Sequence, residues 1–171
     1  CKGVDLSKRK APQRLFEFGR NLNLDVYVLV NNAGAAYQGS FTDMNREELQ
    51  QMAALNMRAV ADLTHLFLPD MLQRGAGRIL NVASVVGFQA VPGMSMYSAS
   101  KAFVLSFTEG LAEELYGTGV KVCAVCPGLT RTELVKDLGT DRLPGSELVM
   151  ADPAAVVERI PSIVFTCARP R

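Results

Sequence analysis

Tyr97 and Lys101, in the segment Met96-Tyr97-Ser98-Ala99-Ser100-Lys101-Ala102, are four residues apart, one helical turn, so both side chains fall on one face of a helix. A phenol beside an ammonium is an acid-base device. Tyrosine ordinarily ionises near pH ~10, and a unit positive charge at ~4 Å in an effective dielectric of ~20 is worth at most ~4 kcal/mol, or about three pKa units. The pair predicts a phenol lowered into the working range for proton transfer at neutral pH. The spacing alone arises readily by chance, so its meaning rests on its neighbours.

Ser84 ends the run Arg78-Ile79-Leu80-Asn81-Val82-Ala83, whose branched apolar side chains predict a short buried strand. Asn31-Asn32-Ala33-Gly34 closes a second such run, Val26-Tyr27-Val28-Leu29-Val30, and Cys126-Pro127-Gly128 closes a third, Val120-Lys121-Val122-Cys123-Ala124-Val125. In open α/β sheets ligands bind in the crevice at the carboxyl ends of parallel strands. All these polar tips are therefore expected in one cleft.

Together these residues resemble the short-chain dehydrogenase/reductase family, whose marks are an Asn-Asn-Ala-Gly turn, a mid-helix Asn, a Ser ahead of Tyr-x-x-x-Lys and a Pro-Gly turn. In this chain they are Asn31 to Gly34, Asn56, Ser84, Tyr97 with Lys101, and Pro127-Gly128, in the family's order. Asp5-Leu6, ending what reads as an earlier strand, is similar to the acidic-then-apolar pair that contacts adenine in that family. The resemblance runs from about residue 4 to about residue 157. It implies an α/β fold, a doubly wound Rossmann-type parallel sheet with helices on both faces. The activity it implies is that of an NAD(P)-dependent oxidoreductase moving a hydride between nicotinamide cofactor and a carbonyl or secondary alcohol. NAD and NADP both stay open as that cofactor.

The resemblance also assigns roles. Tyr97 would protonate the alkoxide in reduction or deprotonate the alcohol in oxidation, and Lys101 would tune the phenol and bind the nicotinamide ribose. Ser84 would donate to the substrate oxygen where negative charge develops. Asn56 interrupts the apolar run Met52-Ala53-Ala54-Leu55-Asn56-Met57, a costly place for an amide without partners. Its family counterpart bonds a backbone carbonyl and holds a water that extends the proton relay. Asn32, Ala33 and Gly34 would let backbone approach the cofactor closely, glycine for want of a Cβ. Pro127, Gly128 and Thr132 would hold the carboxamide end of nicotinamide, with Thr130 a weaker candidate. The plain alternatives are a structural tyrosine, a solvated lysine, a turn cap at Ser84 and a structural amide at Asn56. Phe88, Val91, Met94, Met96, Leu129 and Leu134 flank the catalytic residues and suit either an apolar substrate pocket or core packing. Such a pocket fits an uncharged or acyl-bearing carbonyl better than a small anionic acid.

At its ends the chain departs from the family pattern. No strand with a glycine-rich turn, which would seat a pyrophosphate at a helix N-terminus, precedes Asp5 or occurs later. The chain begins at Cys1 and reads as one incomplete dinucleotide-binding and catalytic domain, residues 1–171, without the first two strands. Residues 160–171 turn apolar in place of the family's last helix and strand. In the strand order 3-2-1-4-5-6 the first strand lies between the second and the fourth, so the strand at 26–30 is expected to present an apolar edge. This segment alone is expected to fold poorly, bind dinucleotide weakly and be inactive. The full-length protein is expected to be a homodimer or homotetramer, pairing the helices at 46–73 and 95–116 across a two-fold axis.

A length of 171 residues with 49% apolar and 20% charged residues fits one globular domain. A net charge of +1 without a basic block leaves no footprint for nucleic acid or an acidic membrane, and the apolar stretches are broken well before the ~18 residues of a membrane span. The partner that the resemblance implies is a small-molecule carbonyl or alcohol substrate. The cysteines Cys1, Cys123, Cys126 and Cys167 include a Cys-x-x-Cys. Residues three apart on a strand point to opposite faces, and no second pair completes a zinc site, so no metal is expected. Reduced, buried thiols suit a cytoplasmic setting. His65, the single histidine, lies in the apolar helical stretch Leu63-Thr64-His65-Leu66-Phe67 and is expected to pack there.

The elements that must position these groups follow from periodicity and breakers. A helix is expected over 7–22 with Ser7 as its cap, then a strand at 26–30, and a long helix over 46–73 preceded by Thr42, Asp43 and Asn45 as candidate caps, with Pro69 a possible kink. A strand over 78–83, a helix over 95–116 stopped by Gly117 and Gly119, and a strand over 120–125 complete the order. Residues 129–150 read as a long loop at the ligand edge. Two other functions compete: a non-catalytic dinucleotide-binding or scaffolding protein, and an epimerase or dehydratase of the same superfamily. The intact Asn, Ser, Tyr and Lys set argues against the first, and the Tyr-Ser-Ala-Ser-Lys context against the second.

Overall fold

The computed structural model describes residues 3–128, 130, 151–156 and 158. Its first helix, α1 (Ala11–Asn21), starts later than the sequence suggests. The Asp5 carboxylate accepts both the Ser7 amide at 3.0 Å and the Ser7 hydroxyl at 2.7 Å. Ser7 thus closes a turn about Asp5 instead of capping the helix. Pro12 lies in the first turn of α1, where its missing N–H leaves no bond unmade.

After strand β1 (Val28–Asn31), the Asn45 side chain accepts the Glu47 amide at 2.9 Å and caps α2 (Arg46–Ala53). The expected long helix does continue from there, but through a π-helical turn, Ala54–Arg58, into α3 (Ala59–Arg74). Pro69 is tolerated inside α3 because the carbonyl it fails to serve, that of His65, lies on the exposed face. His65 itself is exposed, so the packing role expected for it is not found: the apolar stripe of α3 is carried by Val60, Leu63, Phe67 and Met71. Gly75, in the left-handed region, ends α3 and leads directly into β2 (Gly77–Val82). Next come α4 (Ser95–Glu114), ended near Gly117 and Gly119 as expected, and β3 (Val120–Val125).

The three strands form one parallel sheet in the order β1-β2-β3. Its register puts Leu29 beside Ile79 and Ile79 beside Val122. This row packs with Leu63, Phe67 and Met71 of α3 and with Leu115, while Phe16 of α1 meets Phe67 edge-on at 5.1 Å. Nearer the carboxyl ends, Ala83 packs with Val60, Val104 and Leu105. The helices therefore cover one face and set the strand tips against the start of α4. The described residues show helices on this face; the opposite face is an apolar layer of strand residues, Leu80, Val82, Cys123 and Val125. Cys126 packs against the first face, so the two cysteines do point apart.

The apolar edge expected at residues 26–30 is present. In the row Val30–Leu80–Cys123, Leu80 is 0% and Cys123 4% exposed, but Val30 is 50% exposed, and Val28 is 48% exposed. An unpaired strand with apolar side chains is a template for self-association. In sedimentation velocity this chain is expected to form dimers or larger species at micromolar concentration, and Val30→Lys to shift it toward monomer. A monomeric chain with an unchanged profile on substitution would show the edge to be inert.

Candidate functional site

Beyond β2, Ser84 caps a 3₁₀ turn, Val85–Gly87, its hydroxyl accepting the Val86 amide at 3.5 Å. The Ala83 amide donates to the Val125 carbonyl at 2.8 Å and the Val85 amide to the Pro127 carbonyl at 3.1 Å. The tips of β2 and β3 are thereby stitched together, and Pro127 is held beside the Ser84 segment. The 3₁₀ turn also lies directly on α4: a Cβ at Gly87 would come within 2.9 Å of the Lys101 backbone carbon. Only glycine permits that approach, which brings Ser84 to the first turns of α4.

At the start of α4 the Tyr97 ring is half-buried, with its phenol near enough to the Ser84 hydroxyl for that hydroxyl to favour the phenolate. Lys101, one turn on, is only 6% exposed; its ammonium donates to the Val82 carbonyl at 2.8 Å and lies 5.7 Å from the centre of the Tyr97 ring. The phenol, however, is not lowered. Burial pushes its pKa above the ordinary tyrosine value, and the nearby Ser84 hydroxyl opposes this only in part. The expectation of a lysine-lowered phenol is thus corrected, because the ammonium is directed at a backbone carbonyl rather than at the phenol oxygen. Burial lowers Lys101 itself to about 8.

Asn56 is the best-satisfied side chain of the site. It lies in the π-helical turn, 1% exposed. Its oxygen accepts the Ala35 amide at 2.9 Å, and its nitrogen donates to the Ala35 carbonyl at 2.8 Å and the Ser100 hydroxyl at 3.0 Å. The amide expected to need partners therefore has three, and it ties the segment after Asn-Asn-Ala-Gly to α4. A Cβ at Gly34 would stand 3.4 Å from the Asn56 oxygen and 3.7 Å from the Lys101 nitrogen. Gly34, Asn56 and Lys101 meet at one point. Asn56→Ala in the full-length protein is expected to lose about 2–3 kcal/mol, since it strands the Ala35 amide and carbonyl. Urea unfolding checks this, and an unchanged midpoint would contradict it.

Behind the cleft runs a buried polar line that the sequence reading missed. The Asn31 amide donates to the Asn81 oxygen at 2.8 Å and reaches the Thr64 hydroxyl at 3.3 Å, while the Asn81 amide donates to Thr108 at 2.9 Å. It links α3, β1, β2 and α4 side by side. The available signal was an asparagine in each of two apolar strands; only the register, Asn31 beside Asn81, shows that they pair.

Not every expected residue joins the cluster. Asn32, Ala33 and Gly34 are exposed at the carboxyl end of β1, and Pro127 and Gly128 follow β3, all at the expected edge of the sheet. Asp5 is exposed with its carboxylate held below the ordinary range by the Ser7 hydrogen bonds, and Leu6 packs against the core cluster. The Thr130 hydroxyl donates to the Gly128 carbonyl at 3.0 Å. Thr132, Leu129 and Leu134 lie outside the described residues. Phe88, which suited either an apolar pocket or core packing, is 70% exposed.

The residues present fit the nicotinamide-ribose half of a dinucleotide. The Gly34 cradle, which a side chain would fill, is walled by Asn56 and by an ammonium whose three donors include one spent on Val82. A parallel α/β sheet whose strand tips gather a Ser-Tyr-Lys cluster defines a dinucleotide-dependent class of proteins. The sequence profile of that class, described as short chain dehydrogenase, matches residues 1–143. The chain belongs to the short-chain dehydrogenase family. It is 40% identical over 136 residues to the ketoacyl reductase HetN of Nostoc sp., which covers 78% of this chain and 47% of that protein. A Beutenbergia cavernae structure with bound NADP, described as that of an NAD(P) dependent gluconate 5-dehydrogenase, superposes with a TM-score of 0.85 at 28% identity, covering 94% of this chain and 67% of that one. A short-chain dehydrogenase from Sphingobium yanoikuyae in complex with NADPH gives a TM-score of 0.73 at 28% identity, covering 98% and 75%. The chain spans about half the length of the curated relatives it matches.

Proposed function

We propose that the protein containing this chain is an NAD(P)-dependent oxidoreductase that interconverts a carbonyl compound and a secondary alcohol, with Tyr97 as its general acid and base. The observation that carries this reading is the Tyr97 phenol beside the Ser84 hydroxyl, one helical turn from a buried ammonium. The nucleotide would supply or accept the hydride. Lys101, Asn32, Ala33, Gly34, Pro127, Gly128 and Thr132 would hold its nicotinamide-ribose end, with either NAD or NADP as the cofactor.

In the reducing direction, Ser84 and Tyr97 together receive the substrate oxygen. Negative charge grows there as the carbonyl becomes an alkoxide, and two hydroxyl donors fixed beforehand stabilise it. The Tyr97 proton then moves to the alkoxide. A phenol pushed above its ordinary value still suffices, because an aliphatic hydroxyl, like water, is a far weaker acid than a phenol. A raised phenol is also fully protonated at neutral pH, which suits an acid. Asn56 keeps the nucleotide-side loop and α4 in fixed relation, which is how it supports the relay. Alcohol oxidation needs the phenolate instead and should accelerate with alkaline pH.

Self-association of the whole protein through the outer faces of α3 and α4 belongs to the same proposal, and those helices carry the exposed apolar residues Leu72 and Phe103. No helix of the described residues is long and apolar enough to cross a membrane. A reductase working in the cytoplasm is the setting proposed for it.

Ser84→Ala in the full-length protein tests the reading. Ketone-dependent NADPH consumption should fall by about 10²–10³-fold, the usual effect of removing one donor to a developing oxyanion. Wild-type protein that binds NADPH but consumes none with any ketone would favour a non-catalytic binder.

A further inference from the structure

The π-helical turn carries a second polar side chain two residues beyond Asn56. Arg58 donates from Nη2 to the Ser7 carbonyl at 2.7 Å, across 51 residues of sequence, and its Nε stands 3.9 Å from the Asp62 carboxylate one turn on. Ser7 in turn gives its amide and its hydroxyl to a single oxygen of Asp5, Oδ1. The other polar contacts of residues 5–8 stay, among the described residues, within residues 5–11. Arg58 is therefore the polar tie between this turn and the helices, while Leu6 packs on the core cluster.

α3 runs down to Gly75 and the amino end of β2, so Arg58, at its start, stands at the edge of the strand tips. From that one turn Asn56 grips Ala35, just past the Gly34 cradle, and Arg58 grips the turn that carries Asp5. Two segments far apart in sequence are thereby set relative to each other. The Asp5 carboxylate has an oxygen to spare: Oδ2 accepts no hydrogen bond among the described residues, and the Lys8 ammonium stands 3.9 Å from it. The Ser7 bonds favour its ionised form, so at neutral pH it accepts and does not donate. We infer that Arg58 is the positioning residue for the base end of the cofactor, holding the Ser7 carbonyl so that Asp5 Oδ2 selects a base with an exocyclic amino group. On the dinucleotide reading given above, Arg58 acts through Ser7 and Asp5 rather than by touching the nucleotide. A guanidinium suits this task, because its planar fork faces a carbonyl with one nitrogen and a carboxylate with another. Adenine offers the amino group a carboxylate needs; hypoxanthine has a carbonyl there, and two acceptors would face each other.

The test is calorimetry on nucleotide-free, full-length protein, comparing NADH or NADPH, whichever binds more tightly, with its hypoxanthine analogue. Wild type should bind the adenine form about tenfold more tightly. Arg58→Met should weaken the adenine form about tenfold and leave the hypoxanthine form nearly unchanged, bringing the two together. Ser7→Ala, which removes the hydroxyl bond to Asp5 and keeps the carbonyl, should reduce the preference in the same direction. It decides the matter if Arg58→Met does not fold, an unchanged preference overturning the inference. In Arg58→Met itself, an unchanged preference or equal weakening of both forms would show the arginine to be structural and overturn it, as would wild type that binds both forms alike. Protein that binds neither form would overturn the dinucleotide reading as well. Protein that loses its base preference in Arg58→Met, yet reduces no ketone as wild type, would support this role and contradict the proposed reaction.

Discussion

Tyr97→Phe in the full-length protein is expected to lower turnover by about 10²–10⁴-fold, the range a positioned acid or base supplies, while leaving NADPH affinity nearly unchanged. The substitution removes one oxygen and keeps the ring that packs at the start of α4. The residual rate should come from Ser84, which still faces the substrate oxygen. Because burial raises the phenol above its ordinary value, wild-type reduction should be flat across neutral pH and oxidation should climb in the alkaline range. Tyr97→Phe should remove that climb along with the rate. Equal turnover in the variant would reject Tyr97 as the proton carrier, whatever its position.

The second large effect concerns stability. Lys101 holds its proton to its ordinary pKa of 10.5 in the unfolded chain but releases it above about 8 when folded, because burial penalises the charge. Between these values the unfolded state binds more protons than the folded state, so stability rises with pH. A fall of this size corresponds to about 3 kcal/mol, present as a penalty below pH ~8 and relieved by pH ~10. Tyr97 acts in the opposite sense at higher pH. Its folded pKa is raised, so above pH ~10 the unfolded state releases a proton the folded state keeps, and stability declines. Urea midpoints of the nucleotide-free protein should therefore climb between pH 8 and 10. Lys101→Met should flatten that climb; a variant with the same slope would assign the effect elsewhere.

These two residues also show where a sequence stops being legible. That Tyr97 and Lys101 share a helix face follows from spacing, and that Ser84 joins them follows from its place at a strand end. The sign of the phenol's shift did not follow. It depends on how deeply the ring is buried and where the ammonium points, and the Val82 carbonyl that captures Lys101 belongs to a strand 19 residues away. Asn56 is similar. Its polarity inside an apolar run marked it, but the π-helical turn that presents it to Ala35 leaves no trace in composition, since Ala54–Arg58 reads as ordinary helix.

Local competition explains the other departures. Ser7 was a sound helix cap by type, and Asp5 two residues earlier offered it a nearer partner. His65 has apolar neighbours in sequence, yet the helical period turns it outward while Leu63 and Phe67 turn in. The bounds of β3 were read correctly because a valine-rich run begins after Gly119 and ends at Pro127, so both limits are marked by breakers. The pairing of Asn31 with Asn81 needed the register of β1 against β2, and nothing in either strand alone specifies it.

The most direct measurement is the fate of deuterium carried at both C4 positions of the reduced nucleotide, NADH or NADPH, when full-length protein reduces a ketone. Deuterium is expected on the carbinol carbon of a single enantiomer, with the hydroxyl proton drawn from solvent and formation of the alcohol suppressed in Tyr97→Phe. Nucleotide that stays labelled and reduced, with no alcohol formed, would contradict carbonyl reduction as the work of this site.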